Sequence, residues 1–399
     1  MRKKIELGTM LFFIIAAVLV ACIATYMYMA HMVERTTGKS EMFEKLSQVY
    51  QVIHNRYVGE YDEDKAMDSL LSGFVEGIDR YGVYMDKTSY LEYKNALEGK
   101  SSGIGINVKY VASTGLLKIT RVRSGSPAEK AGLKAGDIIA RIDDIEVHTL
   151  SYSEATTHLQ AAIGTEIKLG LLRGEAEVNA TVEVQVYNEK TVTSRVLTNN
   201  TGYVSISEFD VNTSADFKTA VEELKKQKVE KFIFDVRNNT GGSLTSVTEI
   251  LDYILPEGTL CTTTDKANNE KKYTSDKNCL SGEIVILING STYSGGELFA
   301  AAIRDYEYGT LVGTLTYGKG MAQEIIPLGD ESAIYLSTNL YYPPSGKNYD
   351  GIGVAPHIEV KLTADQEDRF YELTYDEDTQ LQQAMTVLND SEEVEEELG

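Results

Sequence analysis

Hydrophobic positions recur at three and four residues between 40 and 98: Met42, Phe43, Leu46, Val49, Tyr50 and Ile53, then Met67, Leu70, Leu71, Phe74, Val75 and Ile78. That spacing predicts amphipathic helices, a small helical region over 40–100. From Lys100-Ser101-Ser102-Gly103 the pattern shortens to runs of strand length: Ile104 to Val108, Leu116 to Arg121, Ile138 to Ile142, Glu166 to Leu172 and Ala176 to Val184. With one helical stretch over Ser153 to Ala162, they predict a β-rich module over 101–185. After Glu189 the apolar runs Tyr203 to Ile206, Phe232 to Val236 and Ile284 to Ile288 each precede a helical run. Those helices are Ala215 to Gln227, Leu244 to Leu255 and Gly295 to Arg304. The alternation predicts βα units packing a mainly parallel sheet over 190–362, and so a multidomain α/β (α+β) chain. A helical region over 363–389 and an acidic tail, 390–399, close the sequence; the tail has no core-forming pattern and reads as disordered or solvated.

The N-terminus differs in kind. Leu7 to Ala30 carries no formally charged side chain, as long as the roughly 20 residues that cross a bilayer, and Arg2, Lys3 and Lys4 precede it. The positive-inside bias then predicts a cytoplasmic stretch over 1–6, a single-pass anchor over 7–30 and an exported remainder. A cleaved signal peptide, or lipidation at Cys22 in Leu19-Val20-Ala21-Cys22, are the competing readings.

Charge narrows the partners. Thirty-eight Lys+Arg against 60 Asp+Glu leave a net charge of -22, which repels phosphate backbones and argues against nucleic acid. Three cysteines without CxxC or HExxH spacing call for neither a metal nor any other cofactor. In an oxidising compartment Cys261 and Cys279, flanking a hairpin whose tip is Lys266-Ala267-Asn268-Asn269-Glu270, are expected to face each other and form a disulfide.

Two constellations carry chemistry. Gly103-Ile104-Gly105-Ile106 lets backbone N–H groups converge on a terminal carboxylate, and the strand that follows offers an edge to an extended peptide. Ile104, Gly105, Ile106 and Asn107 are the expected peptide contacts. Asn289-Gly290-Ser291-Thr292-Tyr293-Ser294-Gly295-Gly296-Glu297 places a serine between an apolar strand and a helix, where a turn projects the hydroxyl beside free N–H groups. Thr316-Tyr317-Gly318-Lys319-Gly320-Met321-Ala322-Gln323 sets a lysine between glycines, and Phe234-Asp235-Val236-Arg237-Asn238-Asn239-Thr240-Gly241-Gly242 ends a strand in a turn rich in amides.

The first constellation, together with Gly125-Ser126-Pro127-Ala128-Glu129-Lys130-Ala131-Gly132-Leu133-Lys134-Ala135-Gly136-Asp137-Ile138-Ile139, resembles a PDZ domain of the bacterial protease type. The second resembles the C-terminal processing (tail-specific) serine peptidases of family S41, and the likeness spans about 40–390. It implies a PDZ domain beside a crotonase- or ClpP-like α/β core. It also implies Ser294 as nucleophile, Lys319 as general base, Gln323 orienting the lysine, and an oxyanion hole from Gly295 with Gly241 or Gly242. The substrates implied are proteins or peptides with exposed C-termini, cut by a membrane-anchored enzyme of the bacterial envelope; whether it associates with itself as a homo-oligomer or with an adaptor is left open by the sequence. The chain departs from the family's usual Ser-Ala-Ser-Glu in having Tyr293 before and Gly295-Gly296 after Ser294. Two other readings remain: a PDZ adaptor that has lost catalysis, and a Ser-His-Asp hydrolase, for which His357 is the one histidine after Ser294.

Overall fold

The computed structural model describes residues 15–29, 40–97 and 100–398. The chain divides into two units, Met1–Ser69 and Leu70–Gly399. In the first, residues 15–29 are helical and a second helix, Ser40–Arg56, follows. Among the described residues no helix is long and apolar enough to cross a membrane. Residues 1–14 and 30, which include part of the apolar stretch 7–30, lie outside the described residues.

In the second unit the β-rich module forms a sheet ordered Ile106–Val111, Leu116–Val122, Ile138–Ile142, Glu166–Arg173, Ala176–Glu183. Alternation decides which side faces the core: Leu117 and Ile119, then Ile167, Leu169 and Leu171, are buried at every second position. The helix Tyr152–Leu159 closes the core, started by Ser151 and Glu154, which cap each other's backbone N–H. Lys100–Gly103 pairs antiparallel with Gln185–Asn188, joining the two ends of the module.

The α/β core is a six-stranded sheet ordered Val192–Val196, Thr201–Ile206, Lys231–Asp235, Glu283–Ile288, Thr310–Gly313, Ile358–Glu359, parallel except for its first pair. Its central strands are buried on both faces, which is why they read as unbroken apolar runs. Phe232, Phe234, Ile284 and Ile286 pack under the helices Thr213–Lys226, Leu244–Ile254 and Gly295–Asp305. Ile233, Val285 and Leu287 pack on the other side against Leu381, Ala384, Met385 and Leu388 of the helix Thr379–Leu398. Fully buried Phe217, Phe232, Phe234 and Phe299 contribute about 1.5–3 kcal/mol each. A second sheet is built on Ala333–Tyr342, which pairs with Val83–Met85, Gly258–Asp265 and Met321–Pro327.

Three expectations are corrected here. Cys261 and Cys279 are both free thiols. The hairpin forms, but its register sets Cys261 opposite Tyr273, and Cys279 lies beyond the end of the strand Glu270–Ser275. The acidic tail is helical as far as Leu398 in place of the disordered alternative, because glutamate and leucine extend a helix readily from a nucleus already packed on the sheet. The region 40–100 is not wholly helical, since Val83–Met85 joins the second sheet.

Candidate active site

The strands Lys231–Asp235, Glu283–Ile288 and Thr310–Gly313 are parallel neighbours, and the three loops holding the candidate residues all leave from their C-terminal ends. That edge is where open α/β sheets gather functional loops. Ser294 directly precedes the helix Gly295–Asp305 with φ 56° and ψ -118°, a strained conformation for a residue with a side chain. Surrounding bonds hold it there. Tyr293 donates its N–H to Asn239 O at 3.0 Å, Thr292 Oγ1 donates to Val236 O at 2.7 Å, and Tyr349 OH donates to Ser294 O at 3.3 Å. Ser291, by contrast, is exposed, and its N–H closes the turn onto Asn289 Oδ1.

The amide loop contributes donors selectively. Gly241 N–H is consumed by Asn239 Oδ1 at 2.8 Å, so of the candidate pair Gly241 drops out of the oxyanion site. The N–H groups of Gly242 and Gly295 have no acceptor among the described residues. They lie close together: a Cβ added to Gly295 would meet Gly242 N at 3.5 Å. Gly242 admits no side chain, with φ 129° and Phe209 O only 2.2 Å from where its Cβ would stand.

Lys319 is 9% exposed, and its amine donates to Gln323 Oε1. The rings of Tyr81, Tyr293 and Tyr335 surround Nζ at 4.9, 5.8 and 6.0 Å. Burial lowers the lysine pKa below its ordinary value, opposed by the charges of Asp79 and Glu297. Ser294, Lys319, Gln323 and Gly242 line one cavity of about 850 Å³.

Sequence spacing did not reveal the group that joins the serine and lysine loops. Glu297, fully buried, accepts from Ser294 N at 3.0 Å and Lys319 N at 2.7 Å through Oε2, and from Thr316 Oγ1 at 2.5 Å and Gly318 N at 2.6 Å through Oε1. Burial raises its pKa, and those four donors counter part of the rise. Its signal in the sequence was an acid three residues after the serine, inside the first helical turn. Ile78-Asp79-Arg80-Tyr81 resembles the family's segment ahead of the PDZ domain, but the part Asp79 and Tyr81 play at this site was not readable from the sequence. Tyr81 O accepts from Gln323 Nε2 at 2.6 Å, and Arg80 pairs with Asp350, whose Oδ1 receives Gly320 N at 3.0 Å.

In the β-rich module Ile104, Gly105 and Ile106 line a groove of about 760 Å³ beside the edge strand Ile106–Val111. Asn107 lies on the same edge strand, with its side chain exposed and outside the groove, because successive side chains on a strand point to opposite faces. His357 does not line the cavity that holds Ser294 and accepts Leu311 N–H on its Nδ1 at 2.9 Å, which leaves a Ser-His-Asp arrangement without its histidine. Among the described residues no cluster of His, Cys, Asp and Glu is placed to hold a metal.

The fold and these loops define a PDZ-bearing α/β peptidase. Residues 200–360 match peptidase family S41, 102–184 a PDZ domain, and 9–89 the N-terminal domain of the activating protease CtpB. A carboxyl-terminal-processing protease of Synechocystis sp. is 30% identical over 73% of this chain and 69% of its own length. A carboxy-terminal-processing protease of Bartonella bacilliformis is 28% identical over 86% and 81% respectively. The solved photosystem II D1 C-terminal processing protease superposes with a TM-score of 0.52 at 24% identity, covering 85% of this chain and 94% of that one, which bears on fold. The chain belongs to peptidase family S41, as a C-terminal processing serine protease with a PDZ domain.

Proposed function

We propose that this protein is a membrane-anchored, extracytoplasmic endopeptidase that selects proteins by their C-terminal tails and cuts them with Ser294, Lys319 and Gln323. One observation carries the mechanism: a lysine whose amine is desolvated shares a cavity with a serine held in a strained turn. An ammonium has no lone pair, so only the neutral amine takes the serine proton as Oγ attacks the peptide carbonyl. The developing oxyanion is received by the N–H groups of Gly242 and Gly295, a donor of this kind contributing about 3–4 kcal/mol to the transition state. The lysine then returns the proton to the leaving amine, and water releases the acyl group.

The PDZ groove supports tail selection, since its edge strand and the glycine-rich turn before it suit an extended chain ending in a carboxylate. The apolar run 7–30 behind three basic residues supports the anchor. Casein degradation by the full chain is expected to vanish in Ser294→Ala and in Lys319→Ala, and the acid limb of kcat/KM is expected below the ordinary lysine range. Full activity in Lys319→Ala refutes the mechanism. An intact mass showing cleavage near residue 30, or a lipid on Cys22, refutes the uncleaved anchor.

A further inference from the structure

Within the Ser294–Lys319–Gln323 reading, on which this inference rests, we propose that Asp79 is a positioning residue that decides which end of the Gln323 amide faces Lys319.

A primary amide has nearly the same shape either way round, so its neighbours set its orientation. Gln323 lies between the lysine amine and the backbone carbonyl of Tyr81. A carbonyl only accepts, so Tyr81 O takes the NH2 end at 2.6 Å and turns Oε1 toward Lys319. The orientation matters to the chemistry. A neutral amine has two N–H groups and one lone pair; an amide oxygen occupies an N–H and leaves the lone pair for the Ser294 proton. The reverse orientation directs an amide N–H into that lone pair and blocks the base.

Asp79 holds the carbonyl in place. Its Oδ1 accepts Tyr81 N at 3.0 Å, its Oδ2 accepts Ser337 N at 2.7 Å, and its own carbonyl accepts Gly82 N at 2.8 Å. Ser337 is the residue paired with Gln323 across the ladder, next to the bulge between Ala322 and Gln323. A bulge re-aims a side chain, and Asp79 secures the turn carrying Tyr81 to the strand position facing that bulge. Burial would push the Asp79 carboxyl up, but the Ser337 and Tyr81 bonds, with the Lys319 charge, outweigh it and hold it below its ordinary value.

The test compares Asp79→Asn, Gln323→Ala and the double variant in the full chain, with labelled casein as substrate. Asparagine matches aspartate in size but has one acceptor for two N–H groups. Asp79→Asn is expected to lower kcat on the order of 10-fold with KM unchanged, and Gln323→Ala on the order of 100-fold. The double variant should fall within about 3-fold of Gln323→Ala, since orientation matters only while the amide is present. The acid limb of kcat/KM in Asp79→Asn moves to lower pH, because a negative charge facing the ammonium is gone. Glu297 and the hydroxyls of Tyr81, Tyr293 and Tyr335 are the other titratable groups around the amine and stay in place. If Asp79→Asn does not fold, Asp79→Ser, which keeps one acceptor, carries the same comparison. Losses that multiply in the double variant, or an Asp79→Asn enzyme with unchanged kcat, overturn the proposal and leave the catalytic reading standing. Cleavage surviving in Ser294→Ala or Lys319→Ala overturns the catalytic reading itself.

Discussion

Replacing Glu297 separates the role of its charge from the role of its acceptors. In Glu297→Gln the amide turns its NH2 toward Thr316 and Gly318. The Thr316 hydroxyl, which already receives Val354 N–H at 2.7 Å, rotates to accept from it. Ser294 N and Lys319 N keep their oxygen, and only Gly318 N–H is left facing a donor. One buried donor without a partner costs about 1–3 kcal/mol, which for a unit of this size lowers Tm by about 1.5–4 °C. Glu297→Ala removes the acceptor of all four donors and opens a void, a loss well above 4 kcal/mol by the same scale even after relaxation. Activity should follow the same order. The glutamine variant retains the link between the serine and lysine loops, while the alanine variant frees both and loses on the order of 100-fold or more, as about 1 Å of misplacement does elsewhere. Thermal melts monitored by circular dichroism and casein degradation at a fixed pH measure both effects. Equal melting temperatures for parent, Gln and Ala variants would show that Glu297 does not tie the loops together.

Other changes are equally specific. Arg237, buried with Asp235 and Asp378 at 2.6 and 2.7 Å and stacked on Phe370 at 4.8 Å, leaves two unpaired buried carboxylates when changed to Ala. The expected cost is about 3–5 kcal/mol, with limited proteolysis opening the segment 370–378; an unchanged digestion pattern counts against it. Under native conditions Cys279 should alkylate and Cys261 should not, since burial pushes the Cys261 thiol up to about 12; both modify once the chain is unfolded. A bridged peptide in a non-reducing map refutes that expectation. Gly242→Ala should fail to accumulate as folded enzyme, and a variant with parental Tm and activity would mean that the Phe209 carbonyl yields.

What the sequence made legible follows from the range of the forces involved. Alternation in Ile167, Leu169 and Leu171 and the unbroken run Ile284 to Ile288 are local consequences of being covered on one face or two, so the PDZ module and the parallel core were readable. The serine turn was readable because strand, turn and helix are adjacent in the chain. Val83–Met85 was not, because three residues are too few to show a period and their partners, Ala333 to Tyr335, are distant in sequence. The roles of Asp79 and Tyr81 were not readable for the same reason: their contacts with Ser337 and Gln323 exist only after the second sheet has formed. The expected cysteine pair failed on register. Both residues flank the same hairpin, yet counting back from its turn brings Tyr273, not Cys279, opposite Cys261.

The short ribbon made by Lys100–Gly103 and Gln185–Asn188 has a consequence for how such proteins change. Because the two ends of the recognition module leave the scaffold side by side, about 5 Å apart as paired strands are, a different module with neighbouring termini would fit the same socket without stretching the catalytic body. Under the proposed function, tail preference and bond cleavage are thereby separable to mutation and recombination, and one cutting machine is open to many readers.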